Sequence, residues 1–299
     1  MTIAWIFPGQ GSQRLGMADA ILDLPGARER FELASEMLGR DLLAITQAPL
    51  DKAYGSLGDL QRTRNTQPAL FVVESLLVDE LLNQGRDAQL IAGHSLGELV
   101  GLYAAGVLSL ESALTLILKR SLLMSAARCG AMTALIGFDR RELESLVAAN
   151  QGVVIANDNS KNQVVISGPS EAVATVGDQL TCKRAIPLAV SGAFHSPLMA
   201  DAAEAFATEL DAVPFADARV PVLSNTDPSP ETDGAVLKER LRTQMTTGVR
   251  WRETMDQLAA AGINTTVEIG PGNVLSGLIK RSCPGITTAQ IATAADLGL

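Results

Sequence analysis

The most constraining stretch of this chain is Ile91-Ala-Gly-His-Ser-Leu-Gly-Glu-Leu99. An apolar run, Gln89–Ala92, precedes the serine, and a Leu-, Val- and Ala-rich run from Leu96 to Leu108 follows it. A buried strand turning sharply into a helix accounts for both. In such a bend the G-x-S-x-G spacing pushes the Ser95 hydroxyl outward, and Gly93 and Gly97 leave room for the crowded backbone. The serine oxygen then sits at a helix N-terminus, where free N–H groups and the helix dipole favour developing negative charge. Short glycine motifs recur by chance, but the flanking patterns argue for a nucleophile elbow.

A serine needs a base to attack at neutral pH, and imidazole exchanges its proton there. The chain holds two histidines. His94 is the immediate neighbour of Ser95, so its side chain should point away from the hydroxyl. His195, in Ser191-Gly-Ala-Phe-His-Ser-Pro-Leu-Met199, is left as the base. No triad acid stands out, and a backbone carbonyl could hold the imidazole tautomer instead.

At 299 residues the chain can bury a large core, as one large domain or a large and a small one. A net charge of −9 argues against nucleic acid or an anionic membrane as the main partner. Cys129, Cys182 and Cys283 are isolated, with no C-x-x-C, which disfavours disulfides and structural zinc. No metal site is expected. The N-terminus has no basic segment ahead of an apolar one, so it reads as a first strand and the protein as cytoplasmic. The apolar stretch Leu90–Leu110 is interrupted by His94, Ser95 and Glu98 and reads as elbow and helix, not a membrane span.

Ile3–Phe7 reads as a strand ending in the tight loop Pro8–Gln13, and Pro68–Gln84 as a helix. Ser109 can cap a helix running to Ala126. Next come a strand at Ala131–Phe138, a helix capped by Asp139 through Ala149, and strands at Val153–Ala156 and Gln163–Ser167 joined by the turn-rich Asn157–Ser160. A helix capped by Ser170 to Leu180 and a strand at Arg184–Val190 complete a ferredoxin-like β-α-β-β-α-β order over 131–190. Past it lie helices at Pro197–Ala212, Ala235–Met245 and Arg252–Ala261, strands near Val220–Ser224 and at Thr265–Ile269, and a last helix to Arg281. The tail beyond Ser282 reads as loosely ordered. Strands alternating with helices on both sides of the insert predict an α/β fold with a largely parallel sheet.

Leu116, Arg120 and Met124 share one helix face that is otherwise apolar. A guanidinium there needs a carboxylate, which its planar fork binds bidentately. Recognition of a substrate carboxylate fits as well as a structural salt bridge or an arginine stretching to solvent. The Pro8–Gln13 loop could offer a second backbone N–H to an oxyanion. Gln244, near a helix end, carries no signal of its own.

These residues together resemble the malonyl-CoA:acyl-carrier-protein transacylases, including the acyltransferase domains of polyketide and fatty-acid synthases. The signposts are Phe7-Pro-Gly-Gln-Gly-Ser-Gln13, Thr66-Gln-Pro-Ala69, Gly93-His-Ser-Leu-Gly-Glu98, Lys119-Arg120 with Met124, Ala193-Phe-His-Ser-Pro-Leu-Met199, Gln244 with Val249-Arg-Trp251, and Glu268-Ile-Gly-Pro-Gly272. They run in the family's order along nearly the whole chain. The resemblance implies an α/β-hydrolase-like body, 1–127 and 196–299, carrying a ferredoxin-like subdomain, 128–195. It implies Ser95 as the malonylated nucleophile and His195 as its base. Gln10 and Leu96 would supply the oxyanion-hole amides. Arg120 would clamp the malonyl carboxylate, with Met124 and Phe194 in the substrate pocket. The main-chain carbonyl of Gln244 would orient the histidine.

The expected substrates are malonyl-CoA and phosphopantetheinylated acyl carrier protein, with no cofactor and a monomeric enzyme. Ser121 stands where many members have glycine, and Gly248 where proline is common. Phe194 is similar to the residue of malonyl-selective domains. Carrier docking, to an acidic partner, would use Lys161, Lys183, Arg184, Lys280 or Arg281, which read equally well as scattered solubilising charges. The alternatives are a serine thioesterase or hydrolase, a non-catalytic binding subunit, or the same transfer serving a polyketide synthase or a malonate decarboxylase.

Overall fold

The computed structural model describes residues 2–48, 55–127 and 129–298. Met1, Arg128 and Leu299, which bound the expected segments, lie outside the described residues.

Five strands form one wholly parallel sheet: β1 (Ile3–Phe7), β2 (Leu90–Gly93), β7 (Val222–Leu223), β8 (Thr265–Ile269) and β9 (Thr287–Ile291), in the order β7-β2-β1-β8-β9. Successive side chains of a strand point to opposite faces. Trp5 and Phe7 of β1 therefore join the core formed with Thr63–Asn83 and Gly97–Ala104, while Ala4 and Ile6 face Trp251, Met255 and Ile279 on the other side. Helices cover both faces of the sheet at β1 and β2, which is why those two strands read as continuous apolar runs.

The second sheet is antiparallel: β3 (Ala131–Phe138), β4 (Val154–Ser160), β5 (Gln163–Gly168) and β6 (Cys182–Pro187), in the order β4-β5-β3-β6. Helices Arg140–Ala149 and Ser170–Gln179 cover one face around Leu135, Leu143, Val164, Ile166 and Val176. This is the β-α-β-β-α-β order read from the sequence. Asp139 caps its helix, accepting from the Arg141 and Glu142 amides at 2.9 and 3.0 Å, a contact worth about 1 kcal/mol. The second helix is capped differently from expectation. Pro169 is its N-cap and Ser170 its first residue, with no side-chain cap bond.

Other expectations are corrected. Asn157–Ser160 is strand, not turn. Its backbone pairs with β5 on one side, and on the other Asp158 N–H donates to Val249 O at 2.9 Å and Val249 N–H to Ala156 O at 2.8 Å. Pairing on both edges outweighs the turn preference of Asn and Asp. The tail is ordered. Thr287–Ile291 runs in register beside β8, because an exposed edge strand needs backbone partners and not an apolar side-chain pattern. The last strand of the small sheet ends at Pro187, leaving Leu188 and Val190 in a connecting segment. Residues 14–62 also hold helices Ala27–Leu38 and Leu42–Gln47, to which no element was assigned.

The helix expected from Pro68 begins at Thr63, so the proline lies inside it. This places Thr66 and Gln67 on the helix, and it carries Gln67 to the site described below. No helix among the described residues is long and apolar enough to cross a membrane.

Candidate active site

Three glycines bring two segments into contact. A Cβ on Gly93 would lie 1.9 Å from Gly97 O, and one on Gly97 would lie 2.1 Å from Phe7 O. A Cβ on Gly9 would lie 2.5 Å from His94 O. Only bare backbone fits at these places, so the Pro8–Gln13 loop rests directly on the elbow. Ser95 sits at the apex with φ 53°, a left-handed conformation that costs an L-residue about 1–2 kcal/mol. Asn225 holds the bend: its Oδ1 accepts from Ser95 N–H at 2.7 Å, and its Nδ2 donates to Gly93 O at 2.6 Å.

His195 also has positive φ, 55°. Its Nδ1 lies 2.9 Å from Gln244 O and 3.2 Å from Thr247 O. Carbonyls only accept, so Nδ1 carries the proton. Nε2 is then left to accept the Ser95 hydroxyl proton, with Oγ at 2.8 Å. Burial, with the Arg120 charge next, pushes the imidazole pKa down to about 3. The resting base is neutral. His94 turns away from the serine, as expected, with Nε2 2.8 Å from Asn159 Oδ1 on β4.

Arg120 lies on the helix Leu110–Ala126 and is fully buried, as is Leu116 on the same face. Its Nη1 donates to Gln67 Oε1 at 2.8 Å, and its Nη2 to Gln244 Oε1 at 2.9 Å and to Ser95 Oγ at 3.1 Å. Its Nε has no partner among the described residues. A structural salt bridge, one competing reading of this arginine, is not formed: no ion pair among the described residues includes it. Burial lowers its pKa to about 10, against the opposing field of Glu98, and it stays charged.

A cleft of about 330 Å³ opens between the two sheets. Gln10, Ser95, Leu96, Met124, Phe194 and His195 line it, while Arg120 and Gln244, the other sequence-predicted residues, are fully buried and do not. The Gln10 and Leu96 amides take no hydrogen-bond partner among the described residues. Met124 Sδ accepts from Gln67 Nε2 at 3.3 Å, and Gln10 Nε2 donates to Thr63 Oγ1 at 3.2 Å. The side chain of Gln244 lies inside the cluster, where its Nε2 donates to Ser95 O at 2.9 Å and to Glu98 Oε2 at 2.7 Å.

Gln67, Glu98, Asn225 and Thr247 were not singled out from the sequence. Gln67 carried a signal as part of the Thr66–Ala69 motif and Glu98 as a lone acid in an apolar helix, but neither was given a role. Of the basic residues proposed for docking, Lys161 and Arg281 line one groove of about 410 Å³ with Arg252 and Asp256. Lys183 and Arg184 lie exposed on edge strand β6, and Lys280 is exposed at the end of the helix Val274–Ser282.

The chain matches the acyl transferase domain family over residues 4–297. A protein of Synechocystis sp. (strain ATCC 27184 / PCC 6803 / Kazusa), named malonyl CoA-acyl carrier protein transacylase, is 46% identical over 297 residues, covering 99% of each chain. The crystal structure of the Synechocystis sp. PCC 6803 malonyl-CoA:ACP transacylase superposes with a TM-score of 0.94 at 46% identity, covering 100% of this chain and 99% of that one. A malonyl-transacylase solved in complex with its type II PKS acyl-carrier protein has a TM-score of 0.90 at 37% identity, covering 99% of this chain and 98% of that one. With its whole length matched in this way, the chain belongs to the acyl transferase domain family, among the malonyl CoA-acyl carrier protein transacylases.

Proposed function

We propose that this protein transfers a malonyl group from malonyl-CoA to the phosphopantetheine thiol of acyl carrier protein, through a malonyl ester on Ser95, in fatty-acid synthesis. One observation carries the reading: Ser95 Oγ meets His195 Nε2 at 2.8 Å and the buried Arg120 Nη2 at 3.1 Å, and Ser95 and His195 line one cleft. A nucleophile, its base and a buried cation sized for a carboxylate thus converge.

The thioester carbonyl faces the Gln10 and Leu96 amides. Ser95 Oγ attacks the carbonyl carbon and His195 Nε2 takes the hydroxyl proton. The new imidazolium is unfavourable in a buried site. It forms together with the oxyanion, whose charge offsets it. The carbon–sulfur bond then breaks, and the CoA sulfur leaves with the proton from His195. In the second half the carrier thiol gives its proton to His195 and attacks the ester. Ser95 recovers that proton as it leaves. Gln244 O holds Nδ1 throughout and does the work of a triad carboxylate. Arg120 pairs with the malonyl carboxylate, while Met124 and Phe194 shape the surrounding wall. An acetyl group would leave the cation unpaired, at about 2–5 kcal/mol.

These steps use the chain's own groups and no cofactor, and the enzyme is placed in the cytoplasm. The division into a body, 1–127 and 196–299, and an inserted unit, 128–195, puts the cleft at their junction. Lys161 and Arg281 are the docking residues favoured by their shared groove. A second reading keeps the chemistry and changes the pathway, since the 37% identical relative is paired with a type II PKS carrier.

The test is intact-protein mass spectrometry after mixing with malonyl-CoA. The protein should gain one malonyl group, pass it to an added carrier thiol, and gain none as Ser95→Ala. Release of malonate to water, with no carrier product, would mean a thioesterase instead. Running fatty-acid and polyketide carriers side by side separates the two pathways.

A further inference from the structure

Glu98 opens the helix Gly97–Ala104 and is fully buried. Its Oε2 accepts from Gln244 Nε2 at 2.7 Å and from Asn225 N–H at 3.2 Å. The other end of the same Gln244 amide accepts from Arg120 Nη2 at 2.9 Å. One side-chain amide therefore stands between a buried carboxylate and a buried guanidinium. The remaining partners of Arg120, Gln67 Oε1 and Ser95 Oγ, are neutral. Glu98 is the carboxylate whose field favours the charged form of Arg120.

We infer that Glu98 is the resting counter-anion of Arg120, held one amide away, and that it sets how strongly the site prefers acyl groups carrying their own carboxylate. The inference rests on the malonyl-transfer reading. The carboxylate of an incoming malonyl group reaches a cation whose field Glu98 already offsets in part. Gln244 keeps the two charges from pairing directly, so both Nη atoms rest on the neutral oxygens of Gln67, Gln244 and Ser95, which an incoming carboxylate would have to displace. Glu98 thus limits the affinity for malonyl groups and allows their release to the carrier. It is a specificity-determining residue that acts through Arg120 without touching the substrate.

Glu98→Gln removes the charge and keeps an acceptor for Gln244 Nε2 and the Asn225 amide. The KM for malonyl-CoA should then fall about tenfold, as expected for one unit charge removed at short range in a partly buried site. The KM for acetyl-CoA should stay within about twofold, since that group has no charge to feel the change. Glu98→Met, a second neutral side chain of similar length, should move the malonyl-to-acetyl KM ratio in the same direction. In an Arg120→Gln background, Glu98→Gln should leave the ratio unchanged.

A purely structural Glu98 would shift both KM values together. That result, or an unmoved ratio in Glu98→Gln and Glu98→Met, overturns the inference and leaves the proposed function standing. A wild-type protein that takes up no malonyl group overturns both.

Discussion

Ser95 and His195, a hundred positions apart, are the two non-glycine residues with positive φ among the described residues, at 53° and 55°, and they meet at 2.8 Å. Among the described residues, left-handed backbone strain outside glycine is concentrated at the two residues proposed to exchange a proton. A left-handed φ persists only where surrounding contacts over-determine it. Around Ser95 those contacts are the Asn225 amide and the glycine-to-backbone packing of the elbow. Around His195 they are the Gln244 and Thr247 carbonyls.

Removing the base should slow acylation without abolishing binding. His195→Ala is expected to lower the rate of malonyl-serine formation by about a thousandfold or more. Rapid-quench measurement with malonyl-CoA in excess checks this. A loss under tenfold would mean that another group takes the proton.

Arg120→Ala should cut kcat/KM for malonyl-CoA by about two orders of magnitude or more, from the loss of a buried charge pair. The value for acetyl-CoA should fall far less. Equal losses for the two acyl groups would make Arg120 a structural residue.

Asn225→Ala breaks two hydrogen bonds at the elbow, a part-buried one of 2.7 Å and a buried one of 2.6 Å. It should lower stability by about 1–3 kcal/mol, through the Gly93 carbonyl and Ser95 amide left unpaired. It should slow malonyl and acetyl transfer alike, because it moves the nucleophile and not the carboxylate clamp. Urea unfolding and the two rate constants report the two effects separately. A change in acyl preference would contradict this role.

Stability should depend on pH through His195. Its folded pKa lies near 3, below the ordinary 6.5, because burial and then Arg120 disfavour the cation. Between those values the unfolded chain binds more protons than the folded one, so stability rises with pH. The contribution of the neutral imidazole is complete above 6.5 and is lost as pH falls toward 3. His94 is shifted down by burial and acts in the same sense. Buried Glu74, Glu98 and Glu268 are shifted up and act in the opposite sense. Comparing urea midpoints of wild type and His195→Gln at pH 7.5 and 4.5 isolates the His195 share. Wild type should lose more on acidification, and parallel losses would count against a depressed imidazole.

Lys161→Ala with Arg281→Ala should raise the carrier-protein KM severalfold and leave malonyl-serine formation intact. Both side chains lie in the same exposed groove, apart from the Ser95–His195 contact. The wild-type carrier KM should also rise with salt, since exposed charge attraction is screened. Equal loss in both half-reactions would argue against docking there.

Much of this site was legible in the sequence because its chemistry is local. The elbow glycines, the Ser95 apex and the free amides at a helix start belong to one short stretch. His195 followed from scarcity, with one other imidazole in the chain. Elements with strong periodicity or caps, such as Ala131–Phe138 and the helix after Asp139, were also readable. Thr287–Ile291 was not, because an edge strand of threonine, alanine and glutamine shows no burial pattern. The start of Thr63–Asn83 was missed because Pro68 imitates a helix beginning.

What the sequence determined by itself was a bend that exposes one hydroxyl, a pool of one usable base, and two sheet types told apart by their order of elements. What only the tertiary structure decided was the set of side-chain partners, Gln67 and Gln244 on Arg120 and Asn225 across the elbow, together with the second carbonyl on His195, from Thr247. Those contacts join residues as much as 132 positions apart, as in the Asn225 side-chain amide on the Gly93 carbonyl. The physical reason is that a glutamine or asparagine carries no periodic or compositional mark of burial. Its role exists only where packing removes water and leaves it as the one polar group in reach.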